Sequence, residues 1–277
     1  MSTYSWAAGY IDSDRPKIVT SRFQYEDGYT IDRYHATGGY QALRAALART
    51  PGEVHDEVKN ATVLGRGGAG FPAGTKWGLM PANKYPRYLV VNGDESEPGT
   101  YKDRLLMERD PHQLVEGCLI AAYAAGLSQV FLYIRGEMPL AHERVGQALN
   151  EAYAAGYVGK NILGTSFSVD IVLHWGAGAY VVGEETALIE SLEGKRGEPR
   201  YRPLSEMKPA EKAMMQAVLS QTIQSMGTDV ARLNLNSTFQ IPWNSTMAVM
   251  PSVNECCSLC FTGLITSAGS GLVTLRP

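Results

Sequence analysis

Short apolar runs alternate with helical segments through the middle of the chain, and this alternation leaves few folds open. The runs at residues 87–92, 130–135 and 168–173 have the length and composition of buried β-strands. Helical patterns at residues 111–126 and 140–155 lie between them. Because parallel strands are joined by right-handed crossovers, usually through a helix, the pattern predicts an α/β fold with a Rossmann-like, mostly parallel sheet.

The rest of the chain is divided around this unit. Residues 1–60 are expected to form an N-terminal arm and helical cap, in which helical periodicity begins only at residue 38. The α/β domain is placed at residues 61–203. Residues 204–277 form a tail that begins with a helical pattern at 206–231 and then loses periodicity, which favours an irregular segment.

Composition excludes several classes of function. The net charge of -3 gives no support for a nucleic-acid footprint. No apolar run is long enough to span a bilayer, and the N-terminus lacks the pattern of a signal peptide. Three of the four cysteines crowd into residues 256–260, which is unlike a disulfide framework, so we expect a reducing, cytosol-facing location.

A glycine-rich segment at residues 65–77 precedes the first strand. Gly65, Gly67 and Gly70 have the spacing G-x-G-x-x-G, and Arg66 and Lys76 supply positive charge near the two ends. Glycine lets a ligand lie against the main chain, so that N–H groups can bind phosphate. An ordinary glycine-rich turn fits the same spacing.

Acidic and glycine-rich connections follow the first and third predicted strands. Asp94, Glu95 and Glu97 come after the first strand, and Glu184 and Glu185 close a glycine-rich turn after the third. Carboxylates at strand ends can accept hydrogen bonds from ribityl or ribose hydroxyls, although a solvated acidic turn or a cation site fits the same residues. Two glycine-rich connections predict a ligand larger than a mononucleotide, such as a flavin together with a nicotinamide dinucleotide.

Four ordered motifs, at residues 65–77, 92–104, 133–137 and 176–197, resemble the flavin-bearing F subunit of respiratory complex I, the 51-kDa subunit of mitochondria. The resemblance implies a domain that holds FMN in a cavity with NADH stacked on it. It also implies hydride transfer from NADH to FMN and electron exit through iron–sulfur clusters. The implied partners are a [2Fe–2S] subunit and a large iron–sulfur subunit, on a peripheral arm at the cytoplasmic face of the membrane.

The resemblance also implies roles for individual residues. The predicted cofactor-binding residues are Gly65, Arg66, Gly67, Gly68, Gly70 and Lys76 around FMN, Asn92, Asp94 and Glu95 along its polar chain, and Tyr180, Gly183 and Glu184 in the lining of the cavity. Phe71 is expected to face the adenine of NADH. Glu97 and Glu185, the predicted catalytic residues, are expected to contact NADH.

The chain departs from the family pattern after residue 203, as expected of a truncated member with an unmatched tail. The second adenine-facing aromatic is missing from residues 204–207. The family binds a [4Fe–4S] cluster through four cysteines, but residues 256–260 give a single C-x-x-C and Cys118 is expected in a helix core. No metal site is therefore predicted. A diaphorase subunit of an NAD-linked hydrogenase or formate dehydrogenase, and a non-catalytic nucleotide-binding remnant, remain alternatives.

Overall fold

The computed structural model describes residues 17–66, 70–80 and 85–200, together with the backbone of two short strands at 256–257 and 269–273. Its helices are α1 (Ile31–Ala36), α2 (Gln41–Leu47), α3 (Pro51–Asn60), α4 (Ala73–Gly78), α5 (Lys102–Arg109), α6 (Pro111–Ala125), α7 (Pro139–Ala154) and α8 (Glu185–Leu192). Its strands are β1 (Tyr88–Gly93), β2 (Gln129–Ile134), β3 (Asp170–Trp175), β4 (Cys256–Cys257) and β5 (Gly269–Val273).

The described strands form one sheet in the order β3-β2-β1-β5-β4. β1 pairs in parallel with β2, and β2 pairs in parallel with β3. β5 lies antiparallel to β1 on the other side, and β4 pairs with β5. Helices α5 and α6 connect β1 to β2, and α7 connects β2 to β3. The predicted α/β fold with a parallel unit of three strands is confirmed.

The two faces of the sheet carry separate apolar clusters, because successive side chains of a strand point to opposite faces. Leu89 and Val91 of β1 join the main core, which α6 and α7 cover. Val90 and Tyr133 instead pack against Leu188 of α8 on the opposite face. The sheet is thus enclosed by helices on both sides near β1 and β2.

Helix α6 is the central helix of the main core. Pro111 stands at its first turn and Gly126, at φ +66°, ends it, so both ends have the residue type that helix termini favour. Leu114, Cys118 and Ala122 are buried along it, as the sequence pattern predicted. The Cys118 thiol is enclosed, and burial raises its pKa.

Two carboxylates, the buried Glu116 and the partly exposed Glu151, attach the N-terminal helices to this core. Glu116 of α6 accepts hydrogen bonds from the Tyr34 hydroxyl and from the backbone N–H groups of Tyr40 and Leu43, the last at 2.8 Å. Glu151 of α7 accepts from the N–H of Ile31 at 2.9 Å. These bonds satisfy N–H groups that the first turns of α1 and α2 leave unpaired.

Helix α1 was not predicted, because residues before 38 lack apolar periodicity. It has only six residues. Thr30 caps it locally, but its second cap is Glu151, which lies 120 residues further along the chain. The helical tail prediction for residues 206–231 falls outside the described residues. Among the described residues no helix combines the length and apolarity needed to cross a membrane.

Candidate cofactor-binding site

The three parallel strands end level with one another. Gly93 is in register with Ile134, and Ile134 is in register with Trp175. The acidic loop after β1, the turn after β2 and the glycine-rich turn after β3 therefore start at one edge of the sheet. Ligands of open α/β sheets bind at this carboxyl edge.

The glycine-rich segment forms a closed loop in front of α4. The N–H of Gly65 donates to the carbonyl of Phe71 at 2.9 Å, and the N–H of Ala73 donates to the carbonyl of Val63 at 2.9 Å. Gly70 has φ +64°, in the left-handed region that favours glycine. Gly67 and Gly68 lie outside the described residues. Arg66 is exposed on this loop.

Helix α4 was predicted as part of the loop, and its position depends on a close approach to α3. A Cβ atom at Gly74 would lie 2.3 Å from the Cα of Lys59. Only glycine permits this separation of the two helices. The carbonyl of Gly74 also lies 2.9 Å from Nε2 of His55 in α3. This packing fixes where Lys76, two residues later, emerges from α4.

Lys76 of α4 and Glu185 of α8 form a buried ion pair. Nζ of Lys76 lies 4.0 Å from Oε2 of Glu185, and their side chains are 7% and 11% exposed. Burial raises the pKa of Glu185 to about 7, since the Lys76 charge offsets the burial only in part and Glu184 adds a second negative charge. Two residues predicted from separate motifs therefore meet at this site.

Asn92 connects the end of β1 to the turn after β3. Its Nδ2 atom donates to the carbonyl of Gly183 at 3.0 Å, and its Oδ1 atom accepts from the N–H of Asp94 at 3.0 Å. Asp94 is buried, and its Oδ2 atom accepts from the Ser96 hydroxyl at 2.6 Å. Its Oδ1 atom is also buried, and within the described residues it has no hydrogen-bond partner.

Both carboxylate oxygens of Glu95 bind the start of α5. Oε1 accepts from the N–H of Asp103 and Oε2 accepts from the N–H of Arg104, each at 3.0 Å. The carbonyl of Glu95 accepts from Nη1 of Arg135 at 2.9 Å. The structure therefore gives Glu95 a role in shaping the acidic loop, because its carboxylate anchors the loop to the helix that follows it.

Glu184 has the corresponding position at the start of α8. Its Oε2 atom accepts from the N–H groups of Thr186 and Ala187 and from the Thr186 hydroxyl, at 3.0, 2.9 and 2.6 Å. Its Oε1 atom is buried and finds no hydrogen-bond partner in the part of the chain that the structure describes. Like Asp94, Glu184 thus has one hydrogen-bonded oxygen and one buried oxygen that no described residue bonds.

Tyr180 and Glu97 meet at the exposed side of the site. The Tyr180 hydroxyl donates to Oε2 of Glu97, and this bond raises the pKa of the tyrosine. Both residues are exposed. The bond joins the glycine-rich turn after β3 to the acidic loop after β1, so one predicted contact residue for NADH already has a partner.

The structure thus brings predicted residues from three motifs to the carboxyl edge of the sheet and pairs Lys76 with one of them. Sequence reasoning assigned no role to Arg135 or Ser96. The segment containing Arg135 matched the family motifs, which was the available signal, whereas the Ser96 contact depends on the fold of the loop. Within the described residues no three His, Cys, Asp or Glu side chains lie close enough to hold a metal ion.

Comparison with known families gives one clear match. A family model described as the Nuo51 FMN-binding domain matches residues 58–227, which extends beyond the boundary at residue 203 drawn from the motifs. The matched region includes all the candidate site residues.

Curated relatives of the chain are F subunits of bacterial NADH-quinone oxidoreductases. The F subunit of the NADH-quinone oxidoreductase of Aquifex aeolicus is 54% identical over 175 residues, which cover 63% of this chain and 41% of the relative. The F subunit of the NADH-quinone oxidoreductase of Streptomyces coelicolor is 51% identical over 187 residues, covering 67% of this chain and 42% of the relative. The chain therefore spans less than half the length of these relatives.

A solved structure shares the fold. The H2-reduced NAD+-reducing [NiFe]-hydrogenase matches with a TM-score of 0.54 and 39% identity, over 62% of this chain and 29% of the matched chain. The air-oxidised form of such a hydrogenase matches with a TM-score of 0.51. At 39% identity the two chains share sequence as well as fold, and the matched chain belongs to a hydrogenase that reduces NAD+.

Proposed function

The chain belongs to the Nuo51 FMN-binding domain family, and from this premise we propose that it is the NADH-oxidising, FMN-binding part of the F subunit of an NADH:quinone oxidoreductase. The proposal assigns FMN and NADH to the carboxyl edge of the sheet. It takes residues 61–203 as the FMN/NADH-binding domain, with residues 1–60 as its N-terminal cap.

One observation carries the assignment of FMN. Oδ1 of Asp94 and Oε1 of Glu184 are buried acceptors without a hydrogen-bond partner among the described residues, and they follow two strands of the same sheet. A buried acceptor left unpaired costs about 1–3 kcal/mol, so such atoms favour a site for a hydrogen-bond donor. The ribityl chain of a flavin carries several hydroxyl donors, and the residues present therefore fit this group.

The glycine-rich segment supplies the second part of the fit. Gly65 and Gly70 let the main chain approach a ligand, Arg66 is exposed on the same loop, and Lys76 is buried behind it. We assign these residues, with Gly67 and Gly68, to the phosphate and ring system of FMN. The positive charges compensate the phosphate and the additional negative charge of a reduced flavin.

Asn92, Glu95 and Gly183 hold the frame on which these contacts depend. Asn92 fixes the distance between the acidic loop and the turn after β3, through its bond to the Gly183 carbonyl at 3.0 Å. A Cβ atom at Gly183 would lie 3.5 Å from Oδ2 of Asp94, so this turn passes close to the acidic loop. Glu95 anchors the same loop to α5.

We assign NADH to the same edge of the sheet, between the exposed Glu97 and the largely buried Glu185. Phe71 offers a flat apolar face for the adenine, and the two carboxylates are assigned to accept hydrogen bonds from NADH. Tyr180 lies beside Glu97. When bound, FMN supplies the acceptor for the hydride, and the protein provides position and electrostatics. Near neutral pH the Lys76–Glu185 pair sets the local charge, because the pKa of Glu185 is about 7.

The partners and location follow from the same assignment. We propose that the domain works beside a [2Fe–2S] subunit and a large iron–sulfur subunit, on a peripheral arm at the cytoplasmic face of the membrane. The [4Fe–4S] cluster expected of the family has no ligand set in this sequence. Cys118 is buried in α6, and a single C-x-x-C at residues 256–260 falls short of four thiolates. The activity proposed for this chain is hydride transfer from NADH to FMN.

The test is a visible spectrum of the purified chain reconstituted with FMN, recorded before and after anaerobic addition of NADH. The expected result is a protein-bound flavin band that bleaches with NADH. A flavin that binds without bleaching would contradict the assignment of NADH to this chain. Failure to retain flavin would contradict the whole proposal and favour a non-catalytic remnant.

A diaphorase subunit of an NAD-linked hydrogenase or formate dehydrogenase is the second candidate, and the NAD+-reducing hydrogenase similarity favours it. Both candidates share the FMN and NADH site and differ in the proteins they join. Affinity purification from the source cells separates them. Recovery of complex I peripheral subunits supports the first candidate, and recovery of hydrogenase or formate dehydrogenase subunits supports the second.

A further inference from the structure

The guanidinium of Arg135 makes three hydrogen bonds at the turn after β2, to the main chain of Glu95 and to the side chain of Glu137. Its Nη1 atom donates to the carbonyl of Glu95 at 2.9 Å. Its Nε and Nη2 atoms donate to the two carboxylate oxygens of Glu137, at 2.9 and 3.3 Å. The backbone N–H of residue 135 continues the β1–β2 ladder by donating to the carbonyl of Gly93 at 3.2 Å, as any residue other than proline would. The Arg135 side chain thus holds the acidic loop at the Glu95 carbonyl.

Asp94 needs such support, because it is a buried carboxylate with a single side-chain donor. Burial raises the pKa of Asp94, while the Ser96 hydroxyl and the Arg135 charge lower it. Glu137 adds a smaller effect in the opposite direction. A further ionisable group near Asp94 is Tyr133 of β2, whose own pKa is raised by burial and by the Asp94 charge. Arg135 is the one cation among these groups.

Oδ1 of Asp94 has no hydrogen-bond partner among the described residues, so it is available to accept a hydrogen bond from a ligand. A protonated carboxyl would become a donor at one oxygen, whereas an ionised carboxylate accepts hydrogen bonds at both. Ser96 already donates to Oδ2. A ligand hydroxyl therefore finds a strong acceptor at Oδ1 only while Asp94 remains charged.

We propose that Arg135 is a positioning residue of the flavin site, which fixes the acidic loop through the Glu95 carbonyl and supplies positive charge that favours the ionised form of Asp94. This inference rests on the proposed function, since the ligand hydroxyls belong to FMN. Arg135 acts through Asp94 and Glu95 and does not itself contact the cofactor.

The test measures the dissociation constant of FMN between pH 5 and 9, by quenching of flavin fluorescence, for the full chain and its variants. For the unaltered chain, affinity falls as the pH drops through the pKa of Asp94. Arg135→Gln removes the charge, so the midpoint of this loss moves upward, and FMN binds more weakly because the acidic loop also loses its bond at the Glu95 carbonyl. Arg135→Lys retains the charge and restores the midpoint, although affinity stays reduced because lysine lacks the planar fork.

Two further comparisons show whether the effect passes through Asp94. Asp94→Asn cannot titrate, so adding Arg135→Gln to it leaves the pH profile unchanged. Glu137→Gln removes an exposed negative charge near Asp94 and moves the midpoint downward. The matched control is Arg33→Gln, because Arg33 makes the same two-point contact with Asp27, at 2.9 and 3.0 Å, on the N-terminal cap. Its profile remains that of the unaltered chain.

The outcomes separate this inference from the proposed function. If the unaltered chain binds no FMN, the proposed function is wrong and the inference is overturned with it. If the unaltered chain binds FMN but Arg135→Gln keeps its midpoint, the function stands and the role of Arg135 is wrong. If Arg135→Gln does not fold, Arg135→Lys and Glu137→Gln decide, and an upward or absent shift in Glu137→Gln overturns the inference.

Discussion

Nζ of Lys76 lies 4.0 Å from Oε2 of Glu185, and this contact joins the glycine-rich segment to the helix that follows β3. The two residues are far apart in the sequence and meet only in the folded chain, since one belongs to α4 and the other to α8. The partial compensation of Glu185 by Lys76 leaves a carboxyl group that titrates near neutrality, with a pKa of about 7. The site therefore has a charge that changes within the physiological pH range.

Glu185→Gln tests whether titration of Glu185 makes the free energy of unfolding depend on pH. The pKa of Glu185 is raised from 4.5 to about 7 in the folded protein, so its contribution to stability is fully present below pH 4.5 and is lost as the pH rises to 7. We expect the unaltered chain to lose up to about 3 kcal/mol more than the Gln variant between pH 5 and pH 8. Urea unfolding at both pH values measures it. Glu57→Gln, at an exposed glutamate of α3, should follow the unaltered chain.

Arg22→Gln should lower the free energy of unfolding by an amount that depends on pH. Arg22 pairs with Asp110 at 3.1 Å, and burial raises the pKa of Asp110 to about 6. At pH 8 the variant leaves a buried, unpaired carboxylate, which costs about 3 kcal/mol or more of the free energy of unfolding. At pH 5 Asp110 takes up a proton, so the cost is smaller. The part that remains there comes from lost contacts of Arg22 with Thr37 and with the Tyr34 ring.

The same denaturant titrations provide the control for the cap. Arg33→Gln removes an ion pair with Asp27 that is 34% and 50% exposed, and exposed pairs contribute little. Its effect should be small and equal at both pH values. A pH-independent cost for Arg22→Gln would contradict the role given to Asp110.

Glu97→Gln tests the assignment of NADH. Because Glu97 is exposed and its described side-chain partner is Tyr180, the variant should fold and retain FMN. We expect the dissociation constant of NADH to rise roughly tenfold, since a charged acceptor is lost. Tyr180→Phe should not raise the dissociation constant of NADH in this way, because it leaves the Glu97 carboxylate in place and removes the tyrosine hydroxyl that bonds it. Anaerobic titration of the FMN-loaded chain measures both, and unchanged NADH affinity in Glu97→Gln removes that residue from the site.

Much of the fold was predictable, because it depends on local pattern. The apolar runs and helical periodicity located β1, β2, α6 and α7 to within one or two residues. β3 was placed two residues early, since Ser168 and Val169 look like strand residues but pair with the segment before them and not with β2. Val169 bridges Gly159, and the Ser168 hydroxyl accepts from the N–H of Asn161 at 3.0 Å.

The site was predictable as a set of motifs and much less as a set of contacts. Glu95 and Glu184 were expected to touch the cofactor, and the structure gives each a helix start to cap. That role depends on where α5 and α8 begin in space. The hydrogen bond from Arg135 to the Glu95 carbonyl joins residues 40 positions apart, and no local pattern indicates it. Short α4 escaped prediction because glycine disfavours helix and two of its six residues are glycine.

Three glycine-to-alanine variants distinguish the energetic cost of a left-handed backbone conformation from that of a steric clash between two helices. Gly74→Ala places a methyl group 2.3 Å from the Lys59 Cα, so α3 and α4 must separate and Lys76 must move. We expect a loss of about 3 kcal/mol of unfolding free energy together with weaker FMN binding. Gly70→Ala meets no described atom within 4 Å and has only the cost of φ +64°, about 1 kcal/mol. Gly52→Ala lies in α3 with open space around it, and should stabilise the chain by up to about 1 kcal/mol. Urea unfolding and FMN titration of the three variants check this order, and equal stability of Gly74→Ala and Gly52→Ala would contradict the close packing of α4 on α3.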